Sequence, residues 1–445
     1  MKPRLHRGSL AAFILGLCVL CFLGGAAAIY YRAPGTEALA HAFEGGRAWY
    51  AVWAAGDKNL SPADRQAIAD LKHHPKITWD AKRALNGYTL ISLLWSDNVY
   101  LVDMKGHVVH EWNMPFSKAW PDATHVHSMR APTMIETAQL LPNGDLIAQY
   151  YGSEDTPYGY GIAKMDKDSH LLWTYSDNAH HNFYIDRTNG DIYGLVQKML
   201  MSPAQPDDVH FLHYPMLADY IVRLSKDGKE QERISLLDAF RDTKFALLIL
   251  RGEDTRDAVW DYMHSNSVVK LERDMAHAFP MFKPGQLLVS LRNMSVLAVI
   301  DPGTKKVVWA MSGGWKRQHS AAFAANGHII LFDNQGAGAA DKSSSRAIEI
   351  DPATGNIVRQ FPAKPSQDFV SVIHGRVQPL ANGNMLVVES DNSRLWEITT
   401  DGKVAWKYAL AKLPEKEIPM SGIVSAVRYT AQELPFLQDV KHEAH

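Results

Sequence analysis

An all-β fold, a six-bladed β-propeller closed by a C-terminal strand, is predicted by three observations. Six segments repeat an alternating apolar strand, a tight polar turn and a second strand that often ends in Trp. Ahead of most of them runs a further pair of alternating strands around Asn-Gly or Pro-Gly. A last strand-like segment, from Ser421, has no partner of its own, while the first unit lacks its innermost strand.

In chain order, Lys2, Arg4 and Arg7 precede an uncharged apolar stretch over residues 8–31. About 20 such residues span a bilayer core as a helix, and the basic flank argues for a cytoplasmic N-terminus and an exported remainder. The expectation is a single-pass membrane anchor over residues 1–34. A signal peptide cleaved near Ala26-Ala27-Ala28 is the alternative. Residues 35–85 carry helical spacing and a Ser61-Pro62 helix start, which predicts a short helical stalk; a packing arm fits equally well.

The hairpins begin at Val99, Tyr160, Asp219, Ser295, Arg346 and Arg394, with turn anchors Val102, Met165, Leu224, Ile300, Ile350 and Ile398. Spacings of roughly 50 to 75 residues suit one four-stranded blade with variable loops. Asp-Gly and Thr-Gly at several of the turns supply the positive φ a tight hairpin needs. Inner strands precede them in AQLLPNGDLIAQY, GDIYGLV, PGQLLVSLRN, FAANGHIILFDN and QPLANGNMLVVES. Pairing the Ser421–Ala431 strand with the Gly87 segment seals the ring and removes the exposed edges; an open solenoid is the alternative. The propeller then occupies residues 86–435 and a tail 436–445. Insertions over Pro203–Pro215 and Leu236–Trp260, the latter helical in pattern, break the rhythm, and such loops often line a site.

Composition excludes several functions. The net charge of -2 shows no nucleic-acid footprint. Cys18 and Cys21 both lie in the first apolar segment, so the propeller has no disulfide, thiolate metal site or Cys nucleophile.

The 20 histidines are not scattered. His127, His181, His264, His319 and His374 each fall just before an innermost strand, and those starts meet at one mouth of a propeller axis. Arg292 ends the strand after that of His264, and Asn266 lies two residues beyond His264 on the same strand face. A polar, hydrogen-bonded channel plug is the bland reading. A His, Arg and Asn cluster without an acid pair is poor for glycoside hydrolysis and suits a tetrahedral anion, with one His as nucleophile on sulfur or phosphorus. Metal ligation by several histidines is the main rival and would make the protein a metal-dependent lyase or hydrolase. A non-catalytic scaffold is a further reading. DPATGNIV and DPGTKKVVW suggest a quinone-binding propeller, against which six units rather than eight count.

The strings QHSAAFAANGHIILFDNQGAG, HSNSVVKL with QLLVSLRN, HHNFYID and LANGNMLVVESDNSRLWEITTDGKVAWKY resemble the bacterial arylsulfate sulfotransferases over roughly residues 88 to 430. The resemblance implies an exported six-bladed propeller that moves a sulfuryl group from a phenolic sulfate to a phenol, with no cofactor, no metal and no nucleotide donor. It implies His319 as nucleophile and His264, Asn266, Arg292 and His181 around the sulfuryl group, with His180 beside them; His374 and His127, by their place before an innermost strand, are further substrate-binding candidates. With the anchor, it places the domain in the periplasm beside the bacterial inner membrane, where a membrane-protein partner or a homodimer stays open. A neutral nucleophilic imidazole would lose activity below about pH 6.5. The chain departs from the family pattern at Gln335-Gly336 and at Asn182.

Overall fold

The computed structural model describes residues 15–25, 75–123, 133–152, 158–202, 212, 214–251, 261–334, 344–364, 366, 368–410 and 422–438. The chain divides into two compact units, Met1–Asp57 and Lys58–His445.

In the first unit the described helical residues are 15–25. At 1.5 Å per residue they reach about 16 Å, roughly half of a bilayer core. Among the described residues no helix is long and apolar enough to cross a membrane. This corrects the expectation of a single-pass inner-membrane protein: the apolar stretch is long in sequence, but its described helix is too short to span. The expected stalk helices over 37–55 and 61–74 lie outside the described residues. Within the expected stalk, Lys76–Trp79 is instead a strand, paired antiparallel with Val404–Ala409. Its KITW sequence, with a β-branched pair and an aromatic, suits a sheet edge.

The second unit is built of antiparallel sheets. The first is ordered Ile423–Tyr429, Tyr88–Leu93, Asn98–Val102, Val108–Asn113. A seven-stranded sheet follows: Met134–Leu140, Leu146–Tyr151, Gly159–Met165, Leu171–Ile185, Ile192–Leu200, Met216–Leu224, Glu230–Ser235. Its long fourth strand pairs with Gly159–Met165 through its first part and with Ile192–Leu200 through its last. Two four-stranded sheets come next, Ser265–Lys270 to Lys306–Ser312 and His319–Phe323 to Ile357–Phe361. The last sheet runs from Arg376–Pro379 out to Val404–Ala409 and the added Lys76–Trp79 edge.

The six hairpins share their details. Anchors Val102, Met165, Leu224, Ile300, Ile350 and Ile398 are all fully buried. Beside each, the strand register slips by one residue. Each turn holds one residue in the left-handed region: Gly106, Ser169, Gly228, Lys305, Gly355 and Gly402. A two-strand turn with the native twist requires that conformation, so the repeat is written in backbone as well as in side chains.

Apolar clusters lie between successive sheets, as a ring of packed faces demands. One joins Ile135 and Ala148 to Leu101 and Trp112 of the first sheet. Another joins Leu386, Leu395 and Trp406 of the last sheet back to Ile91 and Tyr100 of the first. The seal is the antiparallel pairing of Tyr88–Leu93 with Ile423–Tyr429, with Tyr88 opposite Tyr429. Arg428 of the sealing strand is buried across this seam. It donates to Glu397 at 3.0 Å, to Thr89 Oγ1 at 2.8 Å and to the Leu85 carbonyl at 2.6 Å. Residues 436–438, expected as tail, are partly core: Phe436 and Leu437 are buried, and the Phe436 ring meets His110 edge-on at 5.6 Å.

Candidate active site

The innermost strands carry irregularities near their starts, and these build the site. The ladder is interrupted between Ile135 and Thr137, between Ala179 and Phe183, between Ser265 and Ser267, and between His319 and Ala322. The residues stranded in those breaks include Glu136, His181, Asn266 and Ser320. A bulge releases a residue from pairing and re-aims its side chain, and such bulges are frequent beside active sites. All four line one hollow, together with His319, His374, Gly375 and Arg376.

The backbone here is held in conformations L-residues avoid. His181, His264 and Ser320 have φ of 56°, 50° and 56°, and Gly375 has φ 148°. A Cβ on Gly375 would stand 2.3 Å from Phe332 Cδ1 as well as being strained in φ. Gly375→Ala is therefore expected to destabilise the fold by about 1–3 kcal/mol, read as a drop in thermal midpoint.

His319 has a defined tautomer. Asn334 Nδ2 donates to the Ser371 and His374 carbonyls at 2.7 and 2.9 Å, which turns Asn334 Oδ1 toward His319. That oxygen can only accept, so the 2.7 Å contact with His319 Nδ1 is an N–H donation. The proton sits on Nδ1, and Nε2 keeps its lone pair. Burial, then the charge of Arg292, hold the His319 pKa well below its ordinary value.

Around it, His264 Nδ1 meets Asp261 Oδ2 at 2.5 Å. The His264 ring packs on His181 with centroids 4.9 Å apart and on Tyr158 at 4.6 Å. His181 Nδ1 contacts His180 Nδ1 at 2.7 Å, and His180 Nε2 lies 3.5 Å from Asp219 Oδ1. Burial lowers the His180 pKa to about 3 and that of His374 to about 4, and pushes His181 well down. These rings are neutral at physiological pH. Asn266 Nδ2 donates to the Gln318 carbonyl at 2.8 Å. The Arg292 backbone is tied to His264 by an N–H donated to its carbonyl at 3.1 Å.

The structure thus brings His181, Asn266, His319 and His374 to one hollow, with the His264 ring against His181 and the Arg292 charge felt at His319. His180 is fully buried behind His181. His127 lies outside the described residues. Sequence reasoning missed Glu136, Arg376, Asn334, Asp261 and Tyr158. Glu136 and Arg376 stand near the starts of innermost strands, as the named histidines do, and that position was their available signal. Among the described residues, the group of potential metal ligands whose atoms lie within 4.8 Å of one another is Asp166, Asp168 and His170, on a hairpin turn, rather than the axial histidines.

Residues 137–411 match the family described as Arylsulfotransferase (ASST). No curated protein matches the chain. Among solved structures, a Bacteroides caccae protein of unknown function is similar at 13% identity, covering 77% of this chain and 99% of its own, with a TM-score of 0.47. Virginiamycin B lyase from Staphylococcus aureus is similar at 12% identity, with 60% and 68% coverage and a TM-score of 0.35. The WD40 propeller domain of Doa1 is similar at 9% identity, with 76% and 78% coverage and a TM-score of 0.37.

Proposed function

The chain belongs to the arylsulfotransferase family, and from that membership we propose that it transfers a sulfuryl group from a phenolic sulfate ester to a phenolic acceptor through a sulfohistidine at His319. The seven-stranded sheet is read here as two blades sharing the Leu171–Ile185 strand, which makes six blades around the site.

The observation that carries the proposal is the hydrogen bond from His319 Nδ1 to an Asn334 oxygen whose orientation is fixed by two further bonds. It leaves Nε2 as a lone-pair nitrogen on a residue that lines the hollow. In the first half-reaction Nε2 attacks sulfur, the S–O bond to the aryl group breaks, and the phenolate leaves with the bonding pair. Arg292 supplies the positive charge, and Asn266, His181 and His264 supply polar contacts, to the sulfuryl oxygens. Preorganised groups of this kind act where charge develops, in a site with little water. In the second half-reaction the acceptor oxygen attacks the same sulfur and the N–S bond returns its electrons to Nε2.

Steady-state rates with 4-nitrophenyl sulfate and phenol should follow ping-pong kinetics. Incubation with a sulfur-labelled donor and no acceptor should leave the label on His319. A wild-type protein that never turns over, or label fixed on another residue, overturns the reading.

The pH dependence differs from the sequence expectation. A depressed imidazole pKa means that the neutral form persists to lower pH. The first-turnover release of 4-nitrophenolate is therefore expected to stay flat as pH falls through 6.5 and to decline only well below it. Stopped-flow rates between pH 8 and 5 check this; an acid limb centred near 6.5 would contradict it.

A further inference from the structure

We propose that Glu136 is a catalytic acid and base of this site, giving a proton to the departing phenolate and taking one from the acceptor phenol. The proposal rests on the sulfuryl-transfer reading and adds to it a role for a residue outside the histidine and arginine set.

Glu136 is the residue stranded in the bulge between Ile135 and Thr137, so its side chain is released from the pairing of the Met134–Leu140 strand. It lines the same hollow as His319, Asn266 and Arg376. It is 3% exposed, and among the described residues its Oε2 atom has no hydrogen-bond partner. A buried carboxyl oxygen without a partner is costly, so its persistence at the centre of a site points to a ligand that completes it. Its other oxygen lies 3.8 Å from Arg376 Nη2, too far for a hydrogen bond. Arg376 is itself engaged elsewhere, donating to the His181 carbonyl at 2.8 Å and to the Val424 carbonyl at 3.3 Å. A tight two-point ion pair, which would fix Glu136 as a permanently ionised structural group, is therefore not what these residues form.

The charged and titratable groups that share the hollow with Glu136 are Arg376, His181, His319 and His374. Burial raises the carboxyl to about 7, against smaller opposing pulls from the Arg376 charge and from the His181 backbone N–H. A carboxyl in that range exchanges protons readily at neutral pH. It also fits an anionic substrate, because a protonated Glu136 does not repel a sulfate ester as it arrives.

The protons balance over one cycle. As His319 Nε2 bonds to sulfur and the aryl S–O bond breaks, the Glu136 proton passes to the phenolate oxygen. As the acceptor oxygen bonds to sulfur and the N–S bond breaks, the acceptor proton passes to Glu136. The enzyme ends as it began, with no further reactant.

The test separates the two half-reactions in Glu136→Gln. 4-Nitrophenolate is a good leaving group and needs little help from an acid, whereas phenol is a weak nucleophile until it loses its proton. Transfer to phenol is expected to slow about 100-fold or more, far beyond the loss in the first-turnover burst. In the wild type the transfer step should rise with pH through about 7, as Glu136 becomes able to accept a proton, and that limb should vanish in the variant. Added formate should restore transfer in Glu136→Ala. A wild-type burst with unchanged transfer and an unchanged limb in Glu136→Gln overturns the role of Glu136 alone. Equal slowing of both half-reactions, with no formate rescue, does so too by pointing to a structural part. A wild type without any burst overturns the transferase reading itself. Should Glu136→Gln not fold, Glu136→Asp keeps a carboxyl and is expected to retain the pH limb at a reduced transfer rate.

Discussion

Alanine at position 319 is expected to lower turnover of 4-nitrophenyl sulfate with phenol by at least about a thousandfold, because it removes the atom that carries the sulfuryl group between half-reactions. The burst of 4-nitrophenolate should disappear together with the label on the protein, which distinguishes a lost nucleophile from a weakened binding site. The same change leaves Asn334 Oδ1 without its donor, at a cost of about 1–3 kcal/mol. Circular dichroism at the assay temperature therefore accompanies the kinetics. Residual turnover within tenfold of wild type in a folded variant would remove His319 from the chemistry.

The largest effect on stability is expected at the ring seam. Arg428→Ala leaves Glu397 buried with its charge uncompensated, and breaking one side of such a pair costs about 3–5 kcal/mol. It also leaves the Leu85 carbonyl and Thr89 without their donor and removes the guanidinium held 4.5 Å from the centre of the Trp406 ring. Set against a total of about 5–15 kcal/mol for a folded domain, this is a large fraction. Urea unfolding should show a midpoint shifted strongly downward. Replacing both partners, Arg428→Met with Glu397→Leu, should recover most of the loss, since well-packed apolar groups often replace a buried ion pair without penalty. Equal instability in the single and double variants would show that the charges are not the cause.

Much of this was legible in the sequence because propellers repeat. The six anchors were named by alternation and turn residues, and all are buried strand residues beside a register slip. The partnerless segment after Ser421 found its place because an unpaired edge is costly on both sides of the seam. The gathering of His181, His319 and His374 followed from their shared place before an innermost strand.

What was missed has physical causes. A strand alternates with period two, and a bulge shifts that phase without changing composition. Glu136 reads from sequence as one polar position in an ordinary strand, and nothing in ETAQLLPNG marks it as the stranded residue. Asn334 acts through which way its amide faces, which depends on carbonyls nearly 40 residues away in the chain. Lys76–Trp79 is four residues long, and its pairing partner lies at the far end of the chain, so a helical pattern upstream was carried across it. The N-terminal stretch shows the reverse error. Apolar length alone predicted a span, while the described helix covers only residues 15–25.

The seam between Tyr88–Leu93 and Ile423–Tyr429 also sets an order of events in time. The first blade is among the earliest parts of the domain to leave the ribosome, yet its innermost strand is among the last. Until then the Tyr88–Leu93 edge is open, with its amides unpaired and Ile91 lacking part of the cluster that covers it. Loop closure over more than 300 residues is a slow, entropically costly step. The ring can therefore be completed only after Ile423–Tyr429 has been synthesised, and this waiting period is when the open edge is most exposed to pairing with a neighbouring copy.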